Sequence, residues 1–479
     1  MIVPAGMGVV SIPIASITGE WPAAVSFAGV ALVSGCLAAC ALLIEPRSEL
    51  RVRTALVAAA VAWLLVALLG CIPFLATAFL YGAEGGDQLG VFRSFWNAFF
   101  ESMSGITTTG LTVVDHPSEL PVSLIWWRSL SQWVGGAGII LFILAVVDPQ
   151  REGQMLFRAE GHPGNLREDV RLTARGLWKV YVLLTGIGLL LLWAFGMSPW
   201  LALNFAMTSI ATGGFSPTDD SLASFSGPLQ LSVSLLVIFG ATNFSTHACA
   251  LRRDWRNVVA DIQLRVFLGA ALIGFGLIFS LRYFHTGRPE FVSAWFQVVS
   301  TLGTAGFYTE DISSWSEAAL FALVIAMIVG GASGSASGGI KIRRTWTLVI
   351  TMAGYLKRIV TEPHLFVYRP GALPHEVHPE LTGHIAVAVI MLILWLTTII
   401  LGSLCLGFLV APTASLGAIV FDVTSAVSTV GLSAGVVSAS MSAAAKFLFI
   451  GLMWMGRLEI LPVIILFAVM TRIGAGSKS

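Results

Sequence analysis

The chain has 479 residues, 56% hydrophobic and 11% charged, and its 27 Lys and Arg nearly cancel its 26 Asp and Glu. Soluble domains average about 25% charged residues, so a soluble enzyme, a disordered scaffold and a nucleic-acid binder working by bulk positive charge are excluded. What remains is an all-helical protein crossing a membrane many times, long enough for roughly ten spans of about 20 residues.

Apolar stretches predict helices near 3–18, 23–44, 54–80, 121–147, 177–196, 229–250, 266–281, 317–360 (interrupted), 384–410 and 441–471. The opening MIVPAGMGVVSIPIAS has no basic n-region, so it reads as part of the first membrane helix and not as a cleaved leader. Cys36, Cys40, Cys71, Cys249 and Cys405 lie in or beside apolar runs without CxxC spacing, as small core residues do. Segments 45–53, 148–179, 251–265 and 341–369, with Arg472 and Lys478, hold most of the cations, whereas alternate connections such as 216–228 and 308–317 hold none. The positive-inside rule puts the basic segments and both termini in the cytoplasm. Of the rest, Arg93, Arg128, Arg282, Arg288 and Lys446 fall near outer helix ends, and Arg457 falls deep within a span.

Between each pair of later spans, on the outer side, lies an apolar segment too short to cross. The four read ESMSGITTTGLTVVD (101–115), FAMTSIATGGFSPTD (205–219), QVVSTLGTAGFYTED (297–311) and DVTSAVSTVGLSAGV (422–436). Without gaps, Thr108, Thr212, Thr304 and Thr429 align, and so do Gly110, Gly214, Gly306 and Gly431, each followed by Leu or Phe. The glycines are spaced by 104, 92 and 125 residues, about one helix–loop–helix unit each. This divides the chain into an N-terminal helix pair (1–50) and units at 51–150, 151–260, 261–362 and 363–479.

A short apolar helix followed by Gly and polar residues has the pattern of a re-entrant half-helix and an extended return, tolerated in a membrane only where it lines a cavity. Gly lets the backbone turn its carbonyls toward an axis, and the preceding Thr adds a hydroxyl. Four such segments around one axis form an oxygen ring able to replace the hydration shell of a monovalent cation. The half-helices would aim their partially negative C-terminal ends at it. One Thr-x-Gly alone could be an ordinary glycine helix cap; four in register on one face are not explained that way.

These residues resemble the superfamily of K+ transporters that includes Trk, Ktr and plant HKT proteins, above all the Trk-type potassium uptake membrane subunits. The resemblance covers nearly the whole chain. It implies four tandem M1–pore–M2 repeats with pseudo-fourfold symmetry around one pore, after an N-terminal helix pair. It implies K+ at the backbone carbonyls of a one-glycine filter made of Thr108, Thr109, Gly110, Thr212, Gly213, Gly214, Thr304, Ala305, Gly306, Thr429, Val430 and Gly431. Gly at all four positions goes with K+ in that superfamily, whereas a Ser in the first repeat marks some Na+-preferring relatives. It further implies channel-like uptake through a bacterial inner membrane, no cofactor in this chain beyond the transported K+, a homodimer embedded in lipid, and a cytosolic TrkA-like ring of nucleotide-binding subunits. The basic segments 148–179 and 341–380 are docking faces for that ring, or serve only topology and anionic lipid.

Ten residues of only Gly, Ala and Ser (330–339) interrupt the long span 317–360. At about 1 kcal/mol per Gly they do not make a stable straight helix. The resemblance makes them an intramembrane gate, with Gly330, Gly331, Gly334, Gly338, Gly339 and Arg457 as its residues; the alternative is a helix-packing stretch of small side chains. A mid-span Arg costs about 2.5–3.5 kcal/mol to insert, so Arg457 faces the bundle interior or water. By resemblance it is a positive barrier in the ion path; alternatively it pairs with Glu459. Nine residues before each filter Gly stand Glu101, Phe205, Gln297 and Asp422, which either tune the site electrostatically or hold the return strand from behind. Gln132, Asn243 and His247 are candidates to line an inner cavity. Asp115, Asp219, Asp220, Glu310 and Asp311 either concentrate cations at the outer mouth or are solvated loop charges.

The competing function is an ion-coupled carrier of a small solute, which characteristically uses inverted repeats and broken helices at the midplane; here all four segments share one polarity. A membrane enzyme ranks below both, since no HExxH, GxSxG or clustered His/Asp/Glu set occurs in the spans.

Overall fold

A computed structural model describes residues 1–43, 52–146, 166–361, 379–410 and 414–476. Much of the basic segments 45–53, 148–179 and 341–380, including His162, His364, His375 and His378, lies outside the described residues, as does Lys478. The described residues form helices joined by turns and irregular segments, with no β-strand among them, and their side-chain distribution is opposite to that of a soluble protein. Phe408 is 93% and Phe284 85% exposed, while Glu101, Gln132 and Asp422 are fully buried. Apolar side chains on the outside and polar ones within are what a hydrocarbon solvent selects. Five described helices are long and apolar enough to cross a membrane, and two bent pairs could add a span each.

An N-terminal pair, Ile2–Ile17 and Trp21–Leu42, is followed by four units of the same make-up. Each has an outer helix: Val52–Gly70, Leu166–Ala194, Ile262–Thr286 and Pro379–Val410. Each then has a short helix of 12 residues: Phe95–Ile106, Pro199–Ile210, Phe291–Leu302 and Leu416–Val427. Twelve residues rise about 18 Å, short of the roughly 30 Å hydrocarbon core. An inner helix follows: Val122–Val146 in unit 1 and Gly227–Ala241 in unit 2, then Glu317–Val329 in unit 3 and Ala443–Arg457 in unit 4.

Three inner helices are broken, and two of those breaks were not expected. The stretch 229–250 bends by 103° after Ala241, where Asn243 accepts from Ser245 N at 2.8 Å and so caps a new helix, Phe244–Leu251. The stretch 441–471 bends by 112° after Arg457, with Glu459 at φ 58° and Ile460 at φ 65°. In unit 3 the small-residue run is not helical; the backbone leaves the helix at Gly330 and resumes at Ile342. That rules out the helix-packing alternative for 330–339.

Each short helix packs on the inner helix of the unit before it. Phe95–Ile106 lies against Ala443–Arg457 and Pro199–Ile210 against Val122–Val146; Phe291–Leu302 lies against Gly227–Ala241 and Leu416–Val427 against Glu317–Val329. The order closes on itself. Small residues also let three inner helices close on the short helix of their own unit: a methyl on Gly135, Gly240 or Gly456 would run into the carbonyl of Ile106, Ile210 or Val427, near the end of that short helix. The N-terminal pair joins through Glu20, whose carboxylate accepts from Val122 N (2.7 Å) and Ser123 N (2.9 Å) at the start of the first inner helix. A carboxylate there meets unpaired amides and the positive end of the helix dipole.

Candidate functional site

All four short helices end in the same way. The amide of the residue between Thr and Gly donates five residues back: Thr109 N to Ser104 O, Gly213 N to Thr208 O, Ala305 N to Ser300 O and Val430 N to Ser425 O, at 2.7–2.9 Å. The Thr amide donates three residues back, to Gly105, Ser209, Thr301 or Ala426. This is the Schellman pattern, but its left-handed position holds Thr, not Gly: Thr108, Thr212, Thr304 and Thr429 have φ of 53°, 49°, 55° and 49°. A β-branched residue there costs on the order of 1–2 kcal/mol. The glycines are therefore not helix caps. Gly110, Gly214, Gly306 and Gly431 come two residues later, again with positive φ of 89°, 83°, 73° and 97°.

The four turns meet in a ring. A side chain added to Gly110 would strike Gly213 O of unit 2, and one added to Gly214 would strike Ala305 O of unit 3. Likewise Gly306 faces Val430 O of unit 4, and Gly431 faces Thr109 O of unit 1. All twelve residues expected at the site are thus brought together. In all four strands the backbone is left-handed at the Thr and at the Gly but not at the residue between. The Thr108 and Thr429 hydroxyls are buried without a partner, Thr212 Oγ1 donates to Ala211 O (2.8 Å), and Thr304 Oγ1 accepts from Gly338 N (2.6 Å).

Behind the ring, the carboxylates hold the return strands. Glu101 accepts from Thr112 Oγ1 (2.9 Å), Val113 N (3.2 Å) and the wholly buried Arg128 Nε (2.8 Å). Arg128 also donates to Ser216 O (3.1 Å) and lies 4.2 Å over the Phe215 ring, tying the strands of units 1 and 2. Asp422 accepts from Ser433 Oγ (2.7 Å) and from the amides of Ala434 (2.5 Å), Val436 and Val437 (3.2 Å each). Phe205 packs on Phe307, and neither amide atom of the buried Gln297 has a partner. Gln132 is not a cavity residue. It donates to Gly213 O at 2.5 Å and accepts from Phe215 N at 3.0 Å. Asn243 serves its cap, and His247 meets Phe239 O at 2.9 Å.

The segment 330–341 runs directly against the ring. Gly338 has no room for a side chain because Ser428 O and Thr429 Oγ1 occupy it. Gly330, Gly334 and Gly339 have positive φ (69°, 77°, 75°), and Gly331 packs on Ser337. Ala332 N and Ala336 N donate to Ala241 O and Gly240 O of unit 2. Arg457, 4% exposed, reaches the segment from unit 4: Nη1 donates to Ala336 O and Nη2 to Gly135 O of unit 1, both at 2.8 Å. The Arg457–Glu459 pair does not form. Glu459 instead pairs with Arg344 at 2.6 Å, because the bend after Arg457 turns the two side chains apart. Around the loops that follow the short helices, Arg282 pairs with Glu290 (2.8 Å) and with Glu310, Asp219 accepts from Ser118 N (2.9 Å), and Asp311 caps a turn at Ser313 N (2.9 Å). Of the acids considered for the mouth, Asp219, Glu310 and Asp311 are thus engaged in loop structure.

Sequence reasoning missed Arg128, Gln132 as a strand support, and the packing glycines Gly135, Gly240 and Gly456. The glycines had a signal, standing 25 or 26 residues after the aligned Gly of their own units. The other two had only their spacing of four, which places them on one helix face.

Comparison with known proteins agrees with this fold. The family model TrkH, a cation transport protein, matches residues 31–279 and 285–477. The Trk system potassium uptake protein TrkH of Halomonas elongata is 31% identical over 468 residues, covering 94% of this chain and 92% of the relative. TrkH of Escherichia coli K12 is 30% identical over 441 residues, 88% of this chain and 86% of the relative. The crystal structure of the potassium transporter TrkH from Vibrio parahaemolyticus superposes with a TM-score of 0.77 at 26% identity, covering 97% of both chains. With its apolar helices, the chain is a multi-pass membrane protein, and it belongs to the TrkH family of cation transport proteins.

Proposed function

We propose that this protein takes up potassium in a channel-like manner, through a one-glycine filter at the ring of Thr108–Gly110, Thr212–Gly214, Thr304–Gly306 and Thr429–Gly431. One observation carries it: four identical left-handed Thr turns, each followed by a Gly abutting the next unit, close in cyclic order. That order supports pseudo-fourfold symmetry, one repeat for each of 51–150, 151–260, 261–362 and 363–479, after the helix pair of 1–50. Rigidly held carbonyls exchange a cation's hydration shell for protein oxygens at little reorganisation cost. The ion follows from the relatives, whose names give potassium uptake.

Segment 330–341 is the gate. It lies against the ring, spans three units by its contacts, and is fastened by Arg457. The positive charge there also raises the electrostatic barrier for a cation below the filter. The competing ion-coupled solute carrier gains no support from a ring in which all four short helices have the same relation to the site. We further read the protein as an inner-membrane homodimer whose termini are both cytoplasmic, a placement that the positive-inside rule supports through the basic segments, and as regulated by a TrkA-like nucleotide-binding ring, since its relatives are components of a Trk system. The test is flux of K+ or radiolabelled Rb+ into liposomes holding purified protein, wild type beside Gly110→Ser. Absence of cation flux would overturn the function; unchanged K+/Na+ selectivity in the variant would overturn the filter.

A further inference from the structure

The four strands of the ring are not equally constrained. Between Thr and Gly stand Thr109, Ala305 and Val430 in units 1, 3 and 4, but Gly213 in unit 2, so that unit has two adjacent glycines. Two glycines in a row give the backbone the widest choice of conformations and the largest entropy to lose. A side chain added to Gly213 would fall on Gln132, against its Cβ, Cδ and Oε1. Gln132, from the inner helix of unit 1, thus fills the space that the strand's own side chain leaves empty.

It also bonds on both sides of Gly214. Its amide N–H donates to Gly213 O at 2.5 Å and its Oε1 accepts from Phe215 N at 3.0 Å. That pairing fixes which end is nitrogen, since Gly213 offers a carbonyl and Phe215 an N–H. Gln132 is completely buried, so neither bond competes with water. One turn earlier on the same helix face, Arg128 holds Ser216 O and covers Phe215.

We infer that Gln132 is a positioning residue for ion selection: it supplies from unit 1 the side chain that Gly213 lacks, and locks the orientation of the Gly213 peptide. The inference rests on the filter reading above. A peptide free to rotate would change the oxygens offered by one strand of four. The ring would then discriminate less well between K+ and Na+.

The experiment reads K+/Na+ permeability ratios from reversal potentials, with the full-length protein in liposomes. Gln132→Met keeps the volume and removes both bonds; the ratio is expected to fall about fivefold, the effect of one net hydrogen bond. Gly213→Ala alone forces a methyl into Gln132 and should abolish most flux. Gln132→Gly with Gly213→Ala removes every Gln132 side-chain atom that the new methyl would strike, Cβ included, and should recover flux and part of the selectivity. A wild-type ratio in Gln132→Met, or no recovery in the double variant, overturns the role of Gln132. Gly110→Ser runs alongside: if it shifts the ratio while Gln132→Met does not, the filter stands and this inference fails. If Gly110→Ser also leaves the ratio unchanged, the filter reading itself has failed.

Discussion

Removing the Arg457 guanidinium should open the pathway. The side chain donates at 2.8 Å both to Ala336 O of segment 330–341 and to Gly135 O of the first inner helix. Hydrogen bonds from a charged donor contribute about 1.5–3 kcal/mol each, part of which only offsets the cost of burying the guanidinium. The Gly135 bond does not touch segment 330–341, so of the two Arg457 bonds only the one to Ala336 biases the segment proposed as the gate. Its loss shifts the ratio of closed to open molecules by about tenfold to a hundredfold. Arg457→Gln also lowers the barrier to cations, which acts in the same direction. Arg457→Lys separates the two effects, because one ammonium keeps the charge but has no fork with which to bridge two carbonyls. The assay is initial K+ flux in liposomes at matched protein density, with folding checked by size-exclusion profile. A rise in Gln alone assigns Arg457 to the barrier, and a rise in both assigns it to fastening the gate. Wild-type flux in both folded variants would refute the reasoning.

Other substitutions probe the frame. Arg128→Met strands the buried Glu101 carboxylate and should cost about 3–5 kcal/mol, read as a lowered melting temperature in detergent; an unchanged transition would show that the pair does not brace the strands. At the outer mouth, burial is the largest influence on Glu310 and, with neighbouring Glu290 also acting upward, leaves its carboxyl above the ordinary 4.5, despite Ser293 and Arg282 pulling down. A raised acid pKa means the folded form holds the proton more tightly, so this contribution is complete below 4.5 and is lost as pH rises through the folded value. Glu310→Gln should therefore flatten the decline in thermal stability just above that pH, and an identical profile in the variant would contradict the assignment.

Much of the site could be read from the sequence because repetition amplifies a weak local signal. One Thr-x-Gly is ambiguous, yet four at unit spacing fix where the chain must turn. The run 330–339 was legible for a similar reason, since Gly, Ala and Ser supply neither helix propensity nor side chains to pack. What stayed hidden depends on partners far apart in the chain. Glu101 and Arg128 read as a residue behind a filter and a helix-end charge, and only the fold joins them at 2.8 Å. Gln132 could equally have faced a cavity, because the helical period gives a face and not its neighbour. A pair between Arg457 and Glu459, two residues apart, was the alternative to a barrier role, and only the 112° bend shows that Glu459 goes to Arg344.

Potassium selection at the Gly110 ring is tested most directly by cation flux in liposomes, with wild type and Gly110→Ser side by side. A side chain at Gly110 meets Gly213 O of the next unit, so the substitution acts on the ring itself and not on the helices around it. The filter assignment predicts robust K+ and Rb+ flux in the wild type and a K+/Na+ ratio shifted toward Na+ in the variant. Equal ratios in the two proteins, with flux intact, would contradict it.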